Sequence, residues 1–203
     1  MANIDMETVK TLRERTGAGV LDCKKALMAC DGNIDKAIDI LREKGLAKAV
    51  SKASREAGDG MVFTYVHAGG KLGAMVELNC ETDFVAKTED FQGLGKEIAI
   101  QIAATDPSYI RPEDVPAEVV DHERELYRVQ LADEKKPEAV WDKIIEGKLG
   151  AFYKENCLIQ QLYIRDETKT IEELVKAMIA KTGENIVIAR FARFKIGDKP
   201  TIG

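Results

Sequence analysis

Apolar residues recur at helical spacing in the first part of the chain and predict three short amphipathic helices. The three apolar stripes are Met6, Val9 and Leu12; Val20, Cys23, Leu27 and Cys30; and Ile34, Ala37, Ile38 and Leu41. The run Thr16-Gly17-Ala18-Gly19 separates the first two helices, Asn33 suits the N-cap of the third, and Gly45 suits its end. We therefore predict a three-helix bundle of the ubiquitin-associated type over residues 1–45.

The composition changes after this bundle. Residues 46–57 are rich in Ala, Lys and Ser, which predicts a helical linker that contributes little to a core. The run Gly58-Asp59-Gly60 marks a domain boundary. We therefore predict a second domain over residues 58–203.

That second domain mixes strand and helix patterns. Residues 61–67 and 72–81 are rich in β-forming residues and are joined at Gly69-Gly70, which predicts a β-hairpin. Residues 186–194 form a third β-rich run that is long enough to join it. The helical patterns are a buried helix with Phe91, Leu94, Ile98 and Ile102, a charged helical hairpin over about residues 117–155, and a helix opened by the capping box Thr170-Ile171-Glu172-Glu173. The predicted fold class is α+β, with a small antiparallel sheet flanked by helices.

The strand pattern of residues 72–80 ends at an unusual turn. Alternate residues share one face of the predicted strand up to Cys80, but the alternation stops at Thr82-Asp83, where Phe84 follows a carboxylate directly. Two interpretations of this pattern remain open. Either Asp83 caps the next helix while Phe84 enters the core, or both side chains protrude from the turn.

Charge and cysteine content exclude several classes of protein. The 203 residues carry 30 basic and 35 acidic side chains, and a net charge of −5 argues against binding nucleic acid through phosphate contacts. The chain lacks an apolar run of membrane-spanning length and a signal-peptide pattern, so we expect a cytoplasmic protein without membrane attachment. The scattered Cys23, Cys30, Cys80 and Cys157 are typical of reduced thiols.

Motifs for covalent chemistry are missing from the sequence. There is no phosphate-binding P-loop, no dinucleotide fingerprint at Gly17-Ala18-Gly19 and no Gly-x-Ser-x-Gly elbow, and the two histidines are too isolated for zinc. We expect neither a cofactor nor enzymatic activity. One alternative remains, a magnesium-dependent hydrolase that uses the acidic residues Glu81, Asp83, Glu89 and Asp90, although such residues are also typical caps and helix-dipole partners.

Two stretches carry a family resemblance. Residues 12–27 and 77–87 resemble the two signatures of the elongation factor Ts family, the guanine nucleotide exchange factors of the translational GTPase elongation factor Tu. Tyr65-Val66-His67 and Gly183-Glu184-Asn185-Ile186 also resemble that family, so the similarity covers essentially the whole chain. It implies a factor of protein biosynthesis that binds elongation factor Tu·GDP and promotes GDP release.

The resemblance also implies roles for particular residues. The exchange wedge, inserted near the magnesium site of the GTPase, would be Thr82, Asp83, Phe84 and Val85. The N-terminal contacts with its nucleotide-binding domain would be Arg13, Gly17, Gly19, Val20 and Leu21, where the family often has two methionines in place of the Val-Leu pair. His67 would add a contact from the hairpin. From the residues alone, a solvated helix position remains an alternative for Arg13, and a surface position at a strand end remains one for His67.

Length sets this chain apart from longer members of that family. Longer members have two core halves and an inserted coiled coil, whereas this chain has one core half with a helical hairpin of its own. It resembles the short form, which implies a homodimer, and the apolar strand at residues 186–194 would otherwise offer an unprotected edge or face. A different class also remains open, an adapter whose three-helix module binds protein surfaces without exchange activity.

Overall fold

The computed structural model describes residues 4–198, without the side chains of residues 46, 48 and 50. This part of the chain contains eight α-helices, three short 3-10 helices and five strands. The helices are α1 (Met6–Thr16), α2 (Val20–Ala29), α3 (Ile34–Lys52), α4 (Asp83–Ala86), α5 (Glu89–Thr105), α6 (Ala117–Asp133), α7 (Trp141–Asn156) and α8 (Ile171–Thr182). The strands are β1 (Asp59–Val66), β2 (Leu72–Cys80), β3 (Leu162–Tyr163), β4 (Asp166–Thr170) and β5 (Val187–Lys195). The α+β class predicted from the sequence is confirmed.

The first three helices form the predicted bundle around one small core. Its buried members are Val9, Leu12, Cys23, Ala26, Leu27, Ala37 and Leu41. Asp5 caps α1 by accepting the N–H of Thr8 at 2.6 Å, and Asn33 caps α3 by accepting the N–H of Lys36 at 3.0 Å, as predicted. Each cap satisfies an amide that the helix itself leaves without an acceptor, so both helix starts are determined locally.

The prediction that Gly45 ends the third helix was wrong. Helix α3 continues through Gly45 to Lys52, so the first part of the expected linker is helix. A Cβ at Gly45 would lie only 3.1 Å from the Cβ of Ala180 on α8. Glycine costs a helix about 1 kcal/mol relative to alanine, but here it permits close packing of two helices, and that packing outweighs the propensity.

Strand β5 joins the β1–β2 hairpin, as predicted. The sheet order is β1-β2-β5. The hairpin closes where His67 donates its N–H to the carbonyl of Leu72 at 2.8 Å, and β5 continues alongside β2 where Ile196 donates its N–H to Lys71 at 2.9 Å. A second, two-stranded antiparallel sheet of β3 and β4 was not predicted.

The charged helical hairpin is confirmed as α6 packed on α7. Leu131, Ile145 and Leu149 are buried between the two helices. The ammonium of Lys148 lies 5.2 Å from the ring centroid of Tyr127, which adds a cation–π contact at the surface of this pair.

By its internal contacts the chain divides into two compact units. The first contains the residues up to Phe63 with Glu77–Gly95 and Glu173–Ala189, and the second contains Thr64–Val76, Lys96–Glu172 and the residues from Arg190. The three-helix bundle therefore shares a unit with α4 and α8. Whether it folds as a module separate from residues 58–203 stays a prediction.

Candidate protein-binding site

The Phe84 turn, residues Thr82 to Val85, presents an aromatic ring to solvent. Helix α4 starts directly after Thr82, and the Phe84 side chain is 80% exposed. Ala86 is buried, and it follows Phe84 by two positions in the helix, which places the two side chains about 200° apart around the axis. Because α4 has a single turn that faces inward through Ala86, Phe84 points outward. The interpretation of Phe84 as a core residue was wrong.

Asp83 lies beside this ring and carries its own counter-ion. Its carboxylate pairs with the ammonium of Lys87 at 2.6 Å, one helical turn away. The hydrogen bond from Lys87 lowers the pKa of Asp83 below its ordinary value. The turn therefore presents an ionised carboxylate next to an exposed aromatic ring.

The backbone that leads into the turn is held by Glu184. Its carboxylate accepts the N–H groups of Glu81 and Thr82, each at 3.1 Å, and the hydroxyl of Thr82 at 2.7 Å. Thr82 occupies the N-cap position of α4 but makes no side-chain cap bond to that helix. Its hydroxyl is directed to Glu184 instead, so the turn is fixed from outside rather than by its own cap.

A reciprocal set of bonds runs from the turn to the segment that follows α8. The Glu81 carboxylate accepts the N–H of Asn185 at 2.7 Å and pairs with Arg55 at 3.4 Å, and both interactions lower the pKa of Glu81. The buried side chain of Asn185 donates to the carbonyl of Arg55 at 2.7 Å. We call Arg55, Glu81, Thr82, Glu184 and Asn185 the Glu184 network.

The N-terminal candidates surround the loop between α1 and α2. Gly17 ends α1 in the left-handed conformation (φ 68°) and donates its N–H to the carbonyl of Arg13 at 2.7 Å. Gly19 is the N-cap of α2, and the next two side chains, Val20 and Leu21, are exposed, Leu21 by 73%. Arg13 is exposed as well and forms no ion pair within the described part of the chain. The loop therefore offers an apolar pair and a free cation.

Lys181 of α8 lies beside the α1–α2 loop and pairs with the start of α5. A Cβ at Gly17 would lie 3.5 Å from the Cδ of Lys181, and the ammonium of Lys181 pairs with Asp90 at 2.7 Å. The N-terminal candidates and the Phe84 turn belong to the same compact unit.

His67 belongs to the other unit and is described by itself. It is exposed at the end of β1, and its Nδ1 shares a hydrogen bond of 2.8 Å with the hydroxyl of Tyr65. The two rings lie 6.1 Å apart. The bond to Tyr65 orients an exposed imidazole at the hairpin.

The acidic residues near the turn do not converge on a common point. Glu81 is bound by Arg55 and Asn185, while Asp83 and Asp90 each pair with a lysine. Among residues 4–198, no three His, Cys, Asp or Glu side chains are placed together so that they could hold a metal ion. The geometry gives the hydrolase alternative no ligand set. Over the same range, no helix has the length and apolarity that crossing a bilayer requires.

Sequence reasoning missed the residues that support the turn. Glu184 and Asn185 were noted only as part of a run that resembles the family, without a role, and Arg55 was assigned to the linker. The contacts of Glu184 with Glu81 and Thr82 join positions more than a hundred residues apart in the chain. The run Gly183-Glu184-Asn185-Ile186 was the one available signal.

Known proteins match the chain over nearly its whole length. The family described as Elongation factor TS matches residues 18–198. Proteins named Elongation factor Ts from Caldanaerobacter subterraneus subsp. tengcongensis and from a Thermoanaerobacter species (strain X514) are 59% and 57% identical to it over 195 residues, which cover 96% of this chain and 98% and 96% of the relatives. A third, from Thermosipho melanesiensis, is 54% identical over 96% of this chain and all of its own length.

These matches, together with the α+β fold, define a translation elongation factor. The chain belongs to the elongation factor Ts family. The resemblance seen in the sequence is thereby confirmed.

Proposed function

We propose that this protein binds elongation factor Tu in its GDP form and promotes release of the nucleotide, without making or breaking a covalent bond. The observation that carries the proposal is the exposed ring of Phe84 on a turn whose preceding backbone is fixed by Glu184. Burial of an exposed phenylalanine against a partner contributes favourable free energy to binding, because apolar surface is removed from water. The family to which the chain belongs is named for translation elongation.

Phe84 acts as the wedge in this proposal. A rigid ring inserted between packed helices of the GTPase displaces them, because a close-packed interior cannot absorb its volume. Asp83 accompanies the ring as an ionised carboxylate, which disturbs the groups that order the magnesium ion of the GTPase. Since the nucleotide-free GTPase is bound more tightly than the GDP form, linkage requires that GDP is bound more weakly in the complex by the same factor.

The α1–α2 loop supplies affinity rather than exchange. Val20 and Leu21 provide an exposed apolar contact, and Arg13 provides a cation for an acidic group on the GTPase. Gly17 and Gly19 shape the loop that presents them. A surface that binds both nucleotide states equally well holds the complex together but cannot shift the equilibrium. His67 adds a further contact from the hairpin.

The proposed working form is a homodimer in the cytoplasm. In the second unit, Phe194 and Ile196 are 74% and 73% exposed, and Val66 and Met75 are exposed as well. These four residues help to line a groove of about 400 Å³ with mainly apolar walls at the β1–β2 turn and the end of β5. An exposed apolar face of this kind favours pairing with a second copy.

Release of a fluorescent GDP analogue from elongation factor Tu tests the exchange activity. The wild-type protein accelerates release at substoichiometric concentration, and Phe84→Ala loses most of that acceleration. Leu126→Ala is the matched control, because it removes an exposed apolar side chain from α6, in the other unit, and we expect wild-type rates from it. Wild-type protein that leaves the release rate unchanged would exclude exchange activity and favour the adapter.

A further inference from the structure

We propose that Glu184 is a positioning residue for exchange, which holds the backbone before Phe84 so that the ring is presented in a fixed orientation. The proposal rests on the exchange function proposed above. It assigns a role to the segment between α8 and β5, which itself carries no wedge residue. Glu184 acts through Thr82 and Glu81 and is not expected to contact the GTPase.

The exposed ring cannot fix its own orientation. Phe84 is 80% exposed, so packing within the free protein contributes little to its position. The helix that carries it, α4, has four residues, and a single isolated turn of helix is not stable without external contacts. The orientation of the ring must therefore come from the contacts that hold the neighbouring backbone.

Glu184 supplies three of those contacts on two adjacent residues. It accepts two backbone N–H groups and the hydroxyl of Thr82 within 2.7–3.1 Å. Hydrogen bonds to a carboxylate are stronger than those between neutral groups. Because the hydroxyl of Thr82 is bonded to Glu184, the N-cap position of α4 is tied to the segment after α8.

The return contacts make this support rigid. Asn185, the neighbour of Glu184, donates its N–H to Glu81 at 2.7 Å and its buried side-chain amide to the carbonyl of Arg55 at 2.7 Å. Glu81 and Thr82 thus donate two backbone N–H groups to the Glu184 carboxylate, and Asn185 donates one to the Glu81 carboxylate. Hydrogen bonds that run in both directions between residues 81–82 and residues 184–185 prevent one segment from rotating against the other, whereas a single bond would allow this rotation.

A fixed turn has a consequence for the rate of exchange. A wedge on a mobile segment can rotate away when it meets the helices of the GTPase, and ordering that segment on binding consumes part of the binding free energy. A wedge that is already ordered uses that free energy to displace the helices. Loss of Glu184 is therefore expected to lower the maximal rate of GDP release more than the affinity of the complex.

The variants test the Glu184 carboxylate and the Thr82 hydroxyl separately. Glu184→Ala removes all three acceptor contacts, while Glu184→Gln keeps one oxygen. Thr82→Val replaces the hydroxyl with a methyl group of similar size, and Thr82→Ser restores it. Glu138→Ala is the control, since it removes an exposed glutamate from a short helical turn of the other unit.

The first readout uses the free protein and needs no GTPase. Amide hydrogen exchange at residues 81 and 82 is expected to accelerate by at least about a hundredfold in Glu184→Ala, because both N–H groups lose their acceptor. Glu138→Ala is expected to leave both amides protected. Unchanged protection in Glu184→Ala would overturn the proposal at its structural step.

The second readout is GDP release as a function of exchange-factor concentration. We expect Glu184→Ala to lower the rate at saturation by about tenfold or more, with a change of less than about threefold in the half-saturating concentration. Thr82→Val is expected to lower the rate at saturation less than Glu184→Ala does, and Thr82→Ser, which keeps the hydroxyl, less than Thr82→Val. A smaller loss with serine than with valine separates positioning from a general loss of structure, and the Thr82 pair remains informative if Glu184→Ala does not fold.

The outcomes distinguish this proposal from the exchange function itself. A wild-type rate at saturation in Glu184→Ala, or a loss confined to the half-saturating concentration, overturns the positioning role while wild-type exchange stands. Wild-type protein without any effect on GDP release overturns the exchange function and the positioning role with it.

Discussion

Asp83 and Lys87 form an ion pair of 2.6 Å across one turn of α4, directly beside the exposed ring of Phe84. The Lys87 side chain is exposed and that of Asp83 half-exposed, so the pair contributes little to folding. Its effect is on the charge that the turn presents. Because the hydrogen bond from Lys87 lowers the pKa of Asp83, the carboxylate stays ionised well into the acidic range.

Asp83→Asn is expected to slow GDP release by roughly tenfold at every pH between 5 and 8. The lowered pKa places protonation of Asp83 below this range, so the wild type should show no loss of activity there from this group. Lys87→Gln serves as the control, because it keeps the carboxylate. A loss of wild-type activity below pH 6 that is absent in Asp83→Asn would show that Asp83 titrates in this range.

Phe84→Ala should separate activity from stability. Because the ring is 80% exposed, the free energy of unfolding is expected to change by no more than about 0.5 kcal/mol. A buried phenylalanine would cost about 3–5 kcal/mol on the same change. Thermal melting and GDP release are measured on one preparation. Slow release together with a large loss of stability would show that Phe84 is a core residue and contradict its role as the wedge.

Glu81 is expected to make stability depend on pH. Its pKa is lowered in the folded state by the N–H of Asn185 and by Arg55, so at acidic pH the unfolded state binds more protons than the folded state. The stabilisation is present above the ordinary pKa of roughly 4.3 and is lost as pH falls through the lower folded value. Denaturant unfolding from pH 7 to pH 3 measures it. Glu81→Gln should flatten this dependence, and an unchanged slope would contradict the assignment.

Removal of the N-terminal bundle tests whether it is a separate module. A chain that begins at residue 58 is expected to fold, to melt at lower temperature and to bind the GTPase much more weakly. The lower melting temperature follows because α3 packs on α8 at Gly45 and Lys52 donates to the carbonyl of Gly183, the residue after α8.

A chain that begins at residue 53 is the control for that truncation. It keeps Arg55 and so the bond from Asn185, and we expect part of the stability to return. Unchanged dependence of GDP release on concentration in the shorter chain would show that the bundle is no anchor. Failure of either chain to fold would show that the bundle is part of the core.

The homodimer is tested on the apolar face of the second unit. Phe194→Lys places a charge on the exposed face and should shift the protein to a monomer of 22.4 kDa in light scattering at micromolar concentration. Leu162→Lys adds the same charge on β3 and should leave the mass unchanged. A wild type that is a fully active monomer would exclude the dimer as the working form.

Most of the fold follows from periodicity in the sequence. The apolar stripes of α1, α2 and α5 were sufficient to predict these helices, because each helix buries at least two apolar side chains of its stripe. Strand β3 was missed because two residues are too few to show alternation, and β4 was missed because its five residues are all polar. Gly45 was misread because its role depends on Ala180, which lies far away in the chain.

The site was predictable only in part. Local pattern left Phe84 undecided between core and surface, and its exposure follows from the single turn of α4, which no propensity scale reports. The Glu184 network could not be predicted from local sequence pattern either. Glutamate at 184 and threonine at 82 are ordinary surface residues until the fold brings them within 2.7 Å.

Because α3 is continuous, an insertion within residues 45–52 changes the direction in which the N-terminal bundle faces as well as its distance from the rest of the chain. In a flexible linker, one added residue would change only reach. In a continuous helix it turns everything before it by about 100°. Two added residues would therefore face the N-terminal bundle away from α8, whereas four or seven would return it to within about 40° or 20° of its present direction. Relatives of this chain are accordingly expected to vary here in steps of whole helical turns.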